Sequence, residues 1–332
     1  MATSVIEVCR TFNSFSKHRE QIVLAEHRRL DDTTAVSVPD STTSPCAKSL
    51  FVAGSFVGIV PPFAVDAFTQ SSLFTSTKAS ITLSESLSTY SERTEAIDHL
   101  LAEWKALARF ECLRGWRNER YNVYGPDHEP LVAIERSAIG LFGVRAYGCH
   151  LNGYVRQAVT TEDPHTTQIL MWIARRSYQK QTNPGKLDNI VGGGLPCGIT
   201  PTQNIIKECF EEAHIPPDVA SHAVSTGVVS FWQDSPIRGF IPDTEYCYDL
   251  ELPSSFIPNP ADGEVHEFYL WDLNTVLLHL QRGEFTHEAG LVIVDFLIRH
   301  GAITPESEPA FLELSLLLRR EFPFAGPSFN MS

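Results

Sequence analysis

"GGGLPCGITPTQNIIKECFEEAHI", residues 192–215, sets a glycine run ahead of three glutamates, Glu208, Glu211 and Glu212. Thr200 suits a helix N-cap, Pro201 the first helical position, and Gln203 completes a T-x-x-Q capping box. Pro216 and Pro217 stop the helix, leaving about four turns. Ile206, Cys209, Phe210 and Ala213 read as its apolar stripe. Residues three and four apart share a helix face, so the carboxylates are neighbours, and each like-charged pair costs about 0.2–0.5 kcal/mol. Two readings follow. The face is either solvated, or it holds something positive. For the glutamate spacing alone the solvated face is the simpler reading. Adding the glycines, which let backbone approach closely, and the anion-attracting helix start favours a site for metal and phosphate. A hard cation such as Mg²⁺ takes oxygen ligands and commonly shares its shell with water and phosphate.

The rest of the chain narrows the classes. Its 332 residues allow two domains of ordinary size. The formal net charge of −14 argues against a nucleic-acid binder, which needs a basic face. No apolar run reaches the roughly 18 residues of a membrane span, so no membrane partner is expected. The seven cysteines are dispersed, odd in number and without a C-x-x-C pair, which reads as reduced thiols. The first residues, MATSVIEVCRTFNSFSKHREQ, lack a signal-peptide apolar core and become acidic at Glu7 and Glu20. A cytoplasmic protein is expected.

Residues 31–48 read as an exposed loop rich in Ser, Thr, Asp and Pro. FVAGSFVGIVPPFAVDAF suggests strands and turns. The spacing of Ile97, Leu100, Leu101, Trp104, Leu107 and Ala108 predicts a helix. GWRNERYNVYG suggests a turn leading into a strand. The run Gln168–Ala174 is apolar on both faces and reads as a central, covered strand. Further strands are expected over Ala223–Trp232, Thr244–Leu252 and Glu264–Trp271, with helices over Asp272–Gln281 and Ala289–His300. Alternating strands and helices define an α/β layered architecture.

The glutamate segment resembles the signature of the Nudix hydrolases, G-x5-E-x7-R-E-U-x-E-E-x-G-U, where U is bulky and apolar. Gly193 falls on the first glycine, Glu208 on the glutamate of the R-E pair, Glu211 and Glu212 on the paired glutamates, and Cys209 and Ile215 on the two U positions. Ile199, Lys207 and His214 depart from the pattern. Lysine keeps the charge of the arginine but loses its fork. Histidine tolerates the left-handed conformation at the helix end better than most residues. "LDNIVGGGLPCGITP", "KECFEEAHIP", "YDLELP" and "VDFLIRHG" are similar to the thiamine-pyrophosphokinase-related branch of that superfamily. "VCRTFNSF", "FVGIVPP", "GWRNERYNVYG" and "FGVRAYGCHLNGYV" resemble its extra N-terminal domain.

The resemblance implies a Nudix α/β/α sandwich with a mixed sheet over residues 146–304. A smaller α+β domain over 1–145 precedes it, and a tail follows over 305–332. It also implies a Mg²⁺- or Mn²⁺-dependent diphosphatase acting on a small diphosphate, namely oxythiamine or oxothiamine diphosphate, to leave the monophosphate. A nucleoside diphosphatase acting on oxidised nucleotides such as 8-oxo-dGDP is the rival enzyme, and a non-catalytic diphosphate-binding module the rival of another class. Glu208, Glu211 and Glu212 are the expected metal ligands. Glu211, Glu212 or the more distant Glu264 would act as base, with Glu267 a further candidate. Gly193, Gly194, Arg175, Arg176, Lys180 and Lys207 would bind the diphosphate. Trp232 or Tyr246 would stack on the substrate ring, unless they are core residues. Trp116 and Arg117 suit a domain junction, and His287 and Glu288 a surface loop.

Overall fold

The computed structural model describes residues 4–15, 46–158, 167–260 and 263–329. Residues 31–45 of the expected loop lie outside them. The chain forms two compact units: Met1–Asn13 with Tyr147–Phe231 and Thr244–Arg320, and Ser14–Ala146 with Trp232–Asp243 and Glu321–Ser332. The division is therefore not the pair of contiguous cuts, at 145 and 304, that the sequence suggests. The reason is burial. The helix Val5–Phe12 turns Val5, Ile6, Val8, Cys9 and Phe12 into one apolar cluster with the helix His287–Arg299. Phe12 lies so close to Gly290 that a Cβ there would sit 2.3 Å from its ring. The expected tail contributes as well, through the helix Phe311–Leu317, whose Leu314 is buried in that cluster.

The smaller unit carries strands β1 (Lys48–Val52), β2 (Ser55–Val60), β3 (Phe74–Ser76) and β4 (Ser80–Leu83) in the order β2-β1-β4-β3. β1 and β4 are parallel and the other pairs antiparallel. A hairpin of β5 (Arg120–Tyr124) and β6 (Pro130–Glu135) stands apart from that sheet. The expected helix runs from Tyr90 to Ala106, started by a capping box in which Thr89 accepts from the Glu92 amide. FAVDAF, read from sequence among strands and turns, instead supplies the helix Val65–Gln70 beyond the double proline. Trp104 meets Phe68 edge-on at 5.2 Å in the centre of this unit's core.

The larger unit is built on β7 (Ala146–Ala158) from Tyr147, β8 (Thr167–Arg176), β9 (Leu187–Asn189), β10 (Val191–Gly194), β11 (Val224–Ser235) up to Phe231, β12 (Gly239–Glu251) from Thr244, and β13 (Val265–Asp272). The sheet order is β11-β12-β7-β8-β13. β7 and β8 pair only from Tyr154 and Met171 outward. Where they part, β10 pairs with β7 and β9 with β8, so the glycine run is a strand seated between diverging neighbours. Successive strand residues point to opposite faces. Cys149 thus faces the helix Pro201–Ala213, where its thiol reaches the Pro201 carbonyl at 3.7 Å. His150 and Asn152 face the layer containing His287–Arg299. Helix, sheet and helix give the α/β/α sandwich. All seven cysteines are free thiols. Among the described residues, no helix is long and apolar enough to cross a membrane.

Trp104→Ala should lower stability by about 3–5 kcal/mol, the cost of a large core cavity, read as a fall in the urea midpoint.

Candidate functional site

The glutamate helix begins as its sequence dictates. Thr200 accepts from the Gln203 amide, Pro201 occupies the first turn, and the helix ends with His214 at φ 53°, the left-handed conformation expected of it. Its buried face differs from the expected stripe. Ile205, Cys209 and Ala213 are buried together with the polar Asn204 and Glu212, whereas Phe210 is 52% exposed. Two polar anchors hold that face to the glycine strand. Asn204 Nδ2 donates to the Gly194 carbonyl at 3.0 Å, and the Gly192 amide donates to Glu212 Oε2 at 3.0 Å.

The glycines are required by contact. A Cβ on Gly193 would lie 2.8 Å from the Glu208 carboxyl carbon. On the other face, a Cβ on Gly192 would lie 2.7 Å from the His150 ring. Only a strand without side chains admits both neighbours.

The three glutamates have separate surroundings. Glu212 is buried, and Glu208 and Glu212 both lie against the glycine strand. Glu211 turns to the Lys207 ammonium at 2.8 Å, which also reaches Glu208 at 3.2 Å. One lysine thus offsets the repulsion that the spacing creates. Burial pushes the Glu212 carboxyl well above the ordinary glutamate range. The Gly192 amide opposes that shift, and the charges of Glu208 and Asp188 add to it. Lys180 also draws Glu212 down. Among the described residues, no group of three or more His, Cys, Asp or Glu side chains stands ready to hold a metal. Glu208 and Glu212 nonetheless bring carboxylate oxygens to the same glycine strand, the hard-oxygen chemistry that a divalent cation takes.

The basic residues separate by strand alternation. Arg176 donates to Asp188 Oδ2 at 2.7 Å, beside the glutamates. Arg175 points away, to the Tyr269 hydroxyl at 2.8 Å and the Gly185 carbonyl at 2.9 Å, so it is not brought to the site. Lys180 is ion-paired with Glu264. Glu267 meets Tyr269 and Arg175 at the sheet edge. Trp232 is fully buried among Phe15, Phe240 and Phe324 in the smaller unit, stacked on Phe15 at 4.3 Å, and offers no ring face to a ligand. Trp116 donates to Asn118, and the Arg117 amide to Glu135. His287 opens a helix rather than lying in a loop, its ring 4.8 Å from Phe12. The sequence reading missed Asp188, Asn189, His150 and Glu245. The first two directly precede the glycine run in "LDNIVGGG", which was the available signal.

With this geometry in view, the relatives can be compared. A family model described as a domain of unknown function (DUF4743) matches residues 30–146. Nudix hydrolase 24, chloroplastic, of Arabidopsis thaliana is 42% identical over 72% of this chain and 62% of its own length. An uncharacterised protein of Saccharomyces cerevisiae is 39% identical over 73% of this chain and 71% of its own. The chain thus spans about three-fifths of the plant relative. The solved NUDIX domain of Shewanella oneidensis NrtR, complexed with ADP ribose, aligns with 48% of this chain and 90% of its own at 16% identity and TM-score 0.36. By sequence the chain is thus similar to a plant protein named as a Nudix hydrolase.

Glu212→Gln keeps an acceptor for the Gly192 amide and removes a buried charge. A carboxyl whose folded-state pKa is raised gives stability below its unfolded value and loses it as pH rises through the folded one. With chelator present, the variant should melt above wild type near pH 8, and the gap should close by about pH 4.

Proposed function

We propose that the protein is a divalent-cation-dependent diphosphatase, its chemistry carried by residues 146–304, that hydrolyses oxythiamine or oxothiamine diphosphate to the monophosphate. The observation supporting the hydrolytic part is the pairing of Glu208 and Glu212 on a side-chain-free strand, with Arg176 beside them through Asp188 and Lys180 acting on Glu212. The substrate follows from the likeness of "LDNIVGGGLPCGITP" and its companion phrases to the thiamine-related branch. We place the reaction in the cytosol.

Water attacks the terminal phosphorus, the bond to the bridging oxygen breaks, and inorganic phosphate leaves with the monophosphate. Glu208, Glu211 and Glu212 would hold Mg²⁺ or Mn²⁺. Such an ion, when bound, offsets phosphate charge and lowers the pKa of its water. Lys207 keeps Glu208 and Glu211 together. Gly193 and Gly194 let phosphate oxygens approach the backbone, and Arg176 and Lys180 balance the diphosphate charge. Glu212 takes the proton of the attacking water, since burial raises its proton affinity. Glu264, paired with Lys180, positions that lysine.

The purified protein with Mg²⁺ should release monophosphate fastest from oxythiamine and oxothiamine diphosphates, among a panel including thiamine diphosphate, 8-oxo-dGDP and ADP-ribose. Glu212→Gln should lower kcat roughly 10²–10⁴-fold, the usual contribution of a positioned base. Preference for 8-oxo-dGDP would move the protein to the nucleoside diphosphatases, and binding without turnover would make it a sensor.

A further inference from the structure

A chain of buried polar side chains, which the reaction above does not use, runs beneath the helix His287–Arg299. At one end Arg299 grips Asp249 with two bonds, Nη1 to Oδ2 at 2.5 Å and Nη2 to Oδ1 at 2.9 Å. His300 Nε2 adds a contact to Oδ2 at 3.2 Å. Burial works against a charge on Asp249, but the bonds from Arg299, Asn152 and His300 hold its carboxyl below the ordinary range. Asp249 is therefore an acceptor only.

That end dictates the rest. Asn152 Nδ2 donates to Asp249 Oδ1 at 3.0 Å, which leaves the Asn152 oxygen to accept from Asn189 Nδ2 at 2.8 Å. The Asn189 oxygen then faces His150 Nδ1 at 2.9 Å. An amide oxygen accepts and never donates, so Nδ1 of His150 must carry the hydrogen. All four side chains are buried.

The histidine so fixed meets the site. His150 and Gly192 are direct partners in the β7–β10 register, and the ring fills the space a Gly192 side chain would need. The amide of the same glycine donates to Glu212. On the ring's far side, Nε2 faces Glu245 Oε2 at 3.6 Å.

We propose that His150 is a positioning residue for Glu212: the Asp249–Asn152–Asn189 chain locks its ring, hydrogen on Nδ1, against Gly192, and so fixes the amide that aims the carboxylate. Its catalytic meaning rests on the role given to Glu212 above, but its test does not.

The test uses the full chain labelled with ¹⁵N and long-range imidazole spectra, with His150 assigned by the signal lost in His150→Gln. The expected result is a hydrogen on Nδ1, whether or not Nε2 carries a second, and a slowly exchanging Gly192 amide. Asn152→Leu should divide the hydrogen between the two ring nitrogens. It should also speed Gly192 exchange about tenfold, as loss of one hydrogen bond would. His150→Asn, whose amide supplies an N–H in place of Nδ1–H, should restore slow exchange relative to His150→Leu. With an active substrate, His150→Leu should lower kcat and leave KM unchanged. A wild-type His150 bearing hydrogen on Nε2 alone overturns the proposal. So does Gly192 exchange that is unchanged in both Asn152→Leu and His150→Leu. If these variants do not fold, the wild-type spectrum decides by itself. Absence of diphosphatase activity in wild type would remove the reaction while leaving these spectra to judge the ring.

Discussion

A buried carboxylate bonded to a backbone amide is the constraint on which the site depends. Burying an ionised group is costly unless it is hydrogen-bonded or paired. Glu212 is buried beside the charges of Glu208 and Asp188, and the Gly192 amide is its direct hydrogen-bond donor. That single bond ties the last turn of the helix to the strand, while Asn204 ties the first turns to Gly194. The strand must then lie close under the helix, which excludes a side chain at Gly193, while the His150 ring on the opposite face excludes one at Gly192. Gly193 is thus a consequence of the acids' position, not merely a flexible approach to it.

Charge balance in the larger unit is local, despite a chain of formal net charge −14. Lys207 serves Glu208 and Glu211, Arg176 serves Asp188, and Arg299 joins Asp249 to Asp295. Each cation lies between or beside carboxylates, and Arg176 and Arg299 do so in a partly buried setting, where screening by salt is weaker than at the exposed Lys207. An excess of acid over the whole chain therefore coexists with a site where basic groups are close at hand.

What the sequence disclosed was what neighbouring residues decide. Thr200, Pro201 and Gln203 start the helix by contacts within one turn, and His214 ends it by its own backbone preference. The two-sided apolar run ending at Ala174 reads as a covered strand because burial on both faces leaves no polar alternation. The stripe was misjudged at Ile206 and Phe210 because polar Asn204 and Glu212 share the buried face, so apolarity no longer marks the interior. The glycine run carries no strand signal of its own because its partner, Gly148–Leu151, lies some forty residues earlier. Trp232 has the right chemistry for a ligand but is enclosed by Phe15 and Phe324, rings far from it in the chain. The His150 network was invisible for the same reason: its members come from β7, β9, β12 and the end of a late helix.

The divided make-up of the larger unit bears on its biosynthesis. Val5, Ile6, Val8 and Phe12 are made well before Val292, Phe296 and Leu314, yet all share one cluster. Their partners appear only after the intervening unit has been translated. The opening helix must therefore wait with its greasy side uncovered while the intervening unit assembles, and closure of this core is a late, long-range event of the kind that slows folding and invites chaperone capture.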